Sequence, residues 1–223
     1  MSSLPPKPSA TAEAPRDRDL VRLYWPVELR PAFDALFAID EAMAGVVERS
    51  TQPALAAIKL AWWRERLEEL DRGTAPAEPR LQAAATELLP RGIAGSELAE
   101  LEEGWAALLD EQPDVERVAA GGARLFELAA RLLAGAHPLI GAAGRLYGHE
   151  NVARRGLMAR HRPIDELDQL STQRFPKVLR PLTALAALAA RDAKRPPPFE
   201  PEGTPGRALA LIRHRLTGRL PRP

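Results

Sequence analysis

The sequence predicts an all-α fold, a single-domain helical bundle, on three observations. Apolar residues recur at steps of three and four, most clearly through Leu55 to Leu67, LAAIKLAWWRERL. Aromatic residues make up only 5% of the chain while Ala and Leu abound, a balance that suits helices better than strands, which favour β-branched and aromatic side chains. Proline- and glycine-rich stretches interrupt this pattern at helix-sized intervals. With 45% apolar residues over 223 positions, the chain has enough material for one core.

Taken in order, residues 1–15 are rich in Pro and Ala and carry no apolar run of a secretory signal, so they are expected to be a disordered tail. Arg16 to Trp25 reads as a short helix with Leu20, Leu23 and Tyr24 inward. Pro31 suits a first helical turn, and Ala32, Ala35, Leu36, Ile39, Met43, Val46 and Val47 carry the periodicity to Glu48. Ser50 or Thr51 is a candidate cap for the next helix, with Pro53 in its first turn. On that helix Leu55, Ile58, Ala61, Trp62 and Leu67 are expected to face the core, with Lys59, Arg64, Glu65 and Arg66 mainly outward. A loop at 73–79 leads to a helix over Arg80 to Leu89, and Ser96 opens another to about Glu111, with Leu98, Leu101, Trp105 and Leu108 inward.

Asp114 to Ala134 reads as a long helix in which Gly121-Gly122 permits a kink or a close approach by a neighbour, and its partner runs from Pro138 to about Met158. Asp165, Glu166 and Asp168 look metal-binding, yet acids just after Pro163 suit a helix N-terminus, where free N–H groups attract negative charge. Pro181 starts a last core helix to about Arg191. The main domain is thus expected over 16–192, followed by a stiff proline-rich linker at 193–206 and a basic amphipathic helix at 207–223. In that helix Leu209, Ile212 and Leu216 oppose Arg207, Arg213, Arg215 and Arg219, and no acid follows Glu202. It either packs back on the bundle or lies against a membrane surface or partner through 207–220.

Composition narrows the function classes. A formal net charge of +1 offers no global field for nucleic acid. The absence of Cys excludes disulfides and thiol chemistry, and a reducing cytoplasm is the expected location, with contact at the inner membrane as a variant. No apolar run reaches the length of a membrane span. The four histidines lack zinc-ligand spacing, and the glycine-rich nucleotide and G-x-S-x-G hydrolase signatures are absent.

Pro26-Val27-Glu28-Leu29-Arg30, then Ala35-Leu36-Phe37-Ala38-Ile39, then STQPALAAIKLAWWRERL resemble the opening of the squalene/phytoene synthase family of head-to-head prenyl diphosphate synthases. The resemblance covers Arg16 to about Leu70 well and Ser96 to Asp192 loosely. It implies a bundle of the isoprenoid synthase type, shortened in its later helices. Catalytic members carry a D-x-x-x-D motif whose two carboxylates, one turn apart, hold Mg²⁺ and through it the substrate diphosphate. Matching from Ala35 places those positions at Ala44, Gly45 and Glu48, so one carboxylate survives, with Asp40 and Glu41 about two turns before it. A second aspartate-rich motif can be laid on Tyr147 to Arg155, so that Asn151, Val152 and Arg154 match and Arg155 falls where the first aspartate belongs. No carboxylate pair at one-turn spacing exists between Gly135 and Arg162.

The expected function is therefore non-catalytic: a degenerate member acting in binding or assembly, analogous to the mitochondrial complex I assembly factor of that family, with a protein partner or an isoprenoid lipid and no cofactor or metal. The alternative is a prenyltransferase condensing prenyl diphosphates, which alone would call for Mg²⁺. By resemblance, Glu48, Asn151, Arg154, Arg30 and Arg64 are the candidate substrate contacts. The third reading is a peripheral membrane module that binds isoprenoid lipid.

Overall fold

In the computed structural model, residues 16–73, 75–160, 164–196 and 198–221 are described, and among them every regular element is helical. The expected tail at 1–15 lies outside the described residues. The chain runs through α1 (Asp17–Arg22), α2 (Arg30–Arg49), α3 (Pro53–Leu70), α4 (Pro79–Glu87), α5 (Gly95–Ala99) and α6 (Leu101–Ala106), then α7 (Val115–Leu132), α8 (Ile140–Arg154), α9 (Ile164–Ser171), α10 (Arg180–Ala193) and α11 (Pro205–Thr217). This is one all-α domain around one hydrophobic core.

Local chemistry accounts for the boundaries. Pro sits in the first turn of α2, α3, α4, α10 and α11, where its missing N–H has no helical partner to lose. Asp114, Glu78 and Thr204 cap α7, α4 and α11 through side-chain oxygens that accept from backbone N–H groups. Asp71, just past α3, accepts from Gly95 N at 2.6 Å and Ser96 N at 2.9 Å, so it caps α5 from a distance. The expected caps at Ser50 and Thr51 are displaced by Gln52, with Ser50 Oγ accepting from the Gln52 N–H. The single helix expected over Ser96 to Glu111 is instead two short helices and a 3₁₀ turn, although Leu98, Leu101 and Trp105 are buried as expected. Asp165 and Glu166 occupy the first turn of α9, as their N-terminal reading required.

Two helices form the interior. α2 buries eleven residues on several sides, and Trp25, Phe33 and Phe37 stack along one of them with ring centroids 4.7 and 4.4 Å apart. α10 buries everything except Pro181 and Arg191, as a helix apolar all round must. α7 and α8 approach to backbone contact. A Cβ on Gly122 would stand on the Gly144 carbonyl oxygen and 2.9 Å from Gly148 Cα, and Gly104 and Gly121 bring α6 equally near α7.

Two facing predictions are corrected. The core side of α3 is Ala56, Leu60, Trp63, Leu67 and Leu70; of the expected set only Leu67 is buried, while Leu55, Ile58 and Trp62 are exposed. The reason is a competition between stripes. The one through Leu55, Ile58 and Trp62 runs on into Glu65 and Glu69, whereas the other stays apolar for its whole length. At α1 and the turn after it, Val21 and Trp25 are buried and Leu23, expected inward, is exposed.

Of the two alternatives for the last helix, the structure has α11 packed on α10 and α1 through Leu211, Arg207 and His214. The described part of the proline-rich stretch leading to it is tied down. Glu200 pairs with Arg191 and Arg195, and Phe199 lies between the guanidinium groups of Arg154 and Arg160 at 4.9 and 4.8 Å.

Candidate functional site

A cleft of about 390 Å³ opens where α1, α2, α8, α10 and α11 converge. Helical spacing explains its walls. Glu41 and Glu48 are seven residues apart and so share one face of α2. Tyr147, Asn151 and Arg155 or Arg154 recur at one-turn steps on α8. Asp192 ends the apolar run of α10 and turns toward the same space.

Two ion-pair networks fill the cleft. In the first, Arg155 Nη1 donates to Glu48 Oε1 at 2.7 Å and to Glu41 Oε1 at 3.3 Å, and Nη2 donates to Glu41 Oε2 at 2.7 Å. Its Nε donates to Asn151 Oδ1 at 3.1 Å, and Arg18 approaches Glu41 at 3.5 Å. Burial works against the Arg155 charge, but the bonds and charges of Glu41 and Glu48 outweigh it and raise the pKa further. Glu41 is likewise pushed up by burial, and the Arg155 bond and charge more than reverse this, so its carboxyl sits below the usual range.

In the second network, Arg207 is fully buried and donates to Asp17 Oδ2 at 2.7 Å and to Asp192 Oδ1 at 2.5 Å, while Arg154 reaches Asp192 Oδ2 at 2.7 Å. Beside them Glu150 is buried, accepting from Arg160 at 3.2 Å through one oxygen, with Oε1 unpartnered among the described residues. Burial raises the Glu150 pKa despite Arg160. Behind the cleft, Asp40 accepts from Trp105 Nε1 at 2.8 Å, and burial pushes its carboxyl up to about 6 against that bond.

Of the candidate contacts named from sequence, Glu48, Asn151 and Arg154 line this cleft together. Arg30 does not: it donates to the carbonyls of Trp25 and Leu23 and closes the α1 corner. Arg64 does not either, pairing with Glu68 at 3.5 Å on the exposed side of α3. The sequence reading does not reach Glu41, two turns before Glu48, or the Asp17–Arg207–Asp192 triad. The Glu41–Glu48 periodicity is a usable signal, since residues seven apart share one face of a helix and can converge on one cation from a neighbouring helix. The triad joins residues 190 positions apart and left none.

The donor set does not fit a Mg²⁺ cluster. Glu41 and Glu48 are both engaged by one guanidinium, and a metal ion would have to displace a cation tethered to α8. Among the described residues no group of three His, Cys, Asp or Glu side chains has metal-holding geometry. No family model matches the chain, and no curated protein and no solved structure matches it. No described helix is long and apolar enough to cross a membrane.

Proposed function

We propose that this chain is a non-catalytic protein of the squalene/phytoene synthase type, a helical bundle that acts by binding or assembly in the cytoplasm. The observation that supports this reading is the place of Arg155, whose Nη1 lies within 3.3 Å of a carboxylate oxygen from each of Glu41 and Glu48. In a prenyl diphosphate synthase a pair of carboxylates one turn apart gathers Mg²⁺, which neutralises the diphosphate leaving group, and of those positions only Glu48 keeps a carboxylate here. Here the positive charge comes from the chain itself, and every accessible carboxylate of the first network is already paired. An arginine can bind a diphosphate, but it brings no open coordination sites.

The test is turnover of farnesyl and geranylgeranyl diphosphate with Mg²⁺, following released pyrophosphate and extracted hydrocarbon together, in protein verified as helical by circular dichroism. No turnover is expected. Hydrocarbon formation that depends on Mg²⁺ would overturn the reading in favour of the prenyltransferase, with Glu48, Asn151 and Arg154 as its diphosphate contacts.

A further inference from the structure

Most of the described arginines have a carboxylate partner; elsewhere in the fold Arg30, Arg49 and Arg72 form no ion pair among the described residues, and a cluster of cations without one lies around α11. Arg213, Arg215 and Arg219 are exposed and form no ion pair among the described residues, and neither do Arg174 and Lys177 just before α10. Arg174 Nε donates to the Thr217 carbonyl, and Phe175 N donates to the Gly218 carbonyl, so these cations stand beside the end of α11.

The same helix carries an apolar stripe that none of the described residues covers. Leu211, His214 and Arg207 face inward, while Leu209, Ile212 and Leu216, at steps of three and four, are 67%, 49% and 71% exposed. Arg215 lies over the Tyr24 ring at 4.7 Å, which brings the end of α1, with exposed Leu23, beside this stripe. A groove of about 270 Å³ runs along the α10–α11 boundary. It is lined by Arg213, Arg219, Lys194 and Leu209, and no carboxylate lines it. Leucines edged by unneutralised arginines, with a cationic groove at their margin, match the boundary between the acyl chains and the phosphates of a bilayer. A protein partner would need a run of acids fitted to the same spacing.

We propose that α11 docks this protein on an anionic phospholipid surface. Leu209, Ile212 and Leu216 enter the acyl boundary, and Arg213 and Arg219 bind headgroup phosphates at the mouth of the groove. This inference is independent of the non-catalytic reading, since either a synthase or a pseudoenzyme can sit on a membrane.

The experiment is vesicle flotation of the full chain with phosphatidylcholine vesicles, with and without phosphatidylglycerol. Parent protein is compared with Arg213→Gln/Arg219→Gln and with Leu209→Ser/Leu216→Ser, all changes at exposed positions, with helicity checked by circular dichroism. Expected is binding only to the phosphatidylglycerol vesicles, weakening as salt rises. The arginine pair should lower affinity by about fivefold per residue, and the leucine pair should lose binding at every salt concentration. Absence of flotation at low salt in folded protein would overturn the proposal, as would binding that survives the leucine changes. So would a dimer that dissociates on Leu209→Ser/Leu216→Ser without any vesicle binding, which would make the stripe a contact between copies. Stabilisation of the fold by inorganic phosphate in the absence of vesicle binding would reduce the groove to a soluble-anion site and equally refute the membrane assignment.

Discussion

Replacing Arg155 by Gln removes the cation from between Glu41 and Glu48 while keeping a nitrogen donor at the place of Arg155 Nε, from which it still reaches Asn151. The parent has two short contacts at 2.7 Å, and a charge-assisted bond of this kind is worth about 1.5–3 kcal/mol when fully shielded. Both carboxylates are about one-third exposed, at 33% and 31%, so water re-solvates them on loss of the arginine and each contact falls to about 1 kcal/mol. The expected loss is thus about 2 kcal/mol, or a fall in Tm of about 4–8 °C for a domain of this size. The variant should gain something as well. Glu41 and Glu48, no longer neutralised, become a weak divalent site, and Mg²⁺ at tenfold excess over its dissociation constant should return about 1.4 kcal/mol. The assay is thermal unfolding of both proteins in chelator and across a Mg²⁺ titration. A parent Tm that climbs with Mg²⁺ as steeply as the variant's would refute the idea that Arg155 holds the cation position.

Two further outcomes follow from the geometry. Gly122→Ala places a methyl group on the Gly144 carbonyl oxygen, and because the obstacle is backbone the α7–α8 pair must spread; a loss of at least about 2 kcal/mol is expected in urea unfolding, and a loss below about 0.5 kcal/mol would mean the helices are not in backbone contact. The pH dependence is a balance of two buried groups. Asp40, raised from 3.8 to about 6, stabilises the fold below the lower value and loses that contribution as pH rises through the higher, whereas His214, lowered from 6.5 to about 4 by burial, contributes above pH 6.5 and loses it as pH falls toward 4. Each is worth up to about 3 kcal/mol, with opposite slopes over the same window, so Asp40→Asn should expose the His214 slope and make stability fall more steeply with acid; urea midpoints for the variant that run parallel to the parent's across this window would count against it.

The helical content, the prolines at helix starts, the glycine approach at Gly122 and the acids opening α9 were all legible, because each is a local consequence of backbone chemistry. The facing of α3 is also legible, but only over the full helix: one apolar stripe runs into Glu65 and Glu69, and that favours Leu60 and Trp63 over Ile58 and Trp62 as the core side. Three of the cleft residues came from matching two motif regions, which assigns residues to a common site without saying what neutralises them. The role of Arg155 as counter-ion depends on how α8 is rotated about its own axis, and its packing on α7, with Gly144 and Gly148 lying against Gly122, sets that rotation. The Asp17–Arg207 pair depends on the whole chain having folded, so no window of sequence contains it.

That pair also has a kinetic meaning. Asp17 belongs to α1 and Arg207 to α11, the first and last of the described helices, 190 residues apart, and both are buried together with Asp192. A contact at such separation adds to the average loop that must close during folding, which slows the search relative to a bundle built from neighbouring helices. On the ribosome, α1 can form long before its counter-ion exists, and its aspartate must stay in water until α11 has emerged. A helix made early is in this sense among the last to be locked.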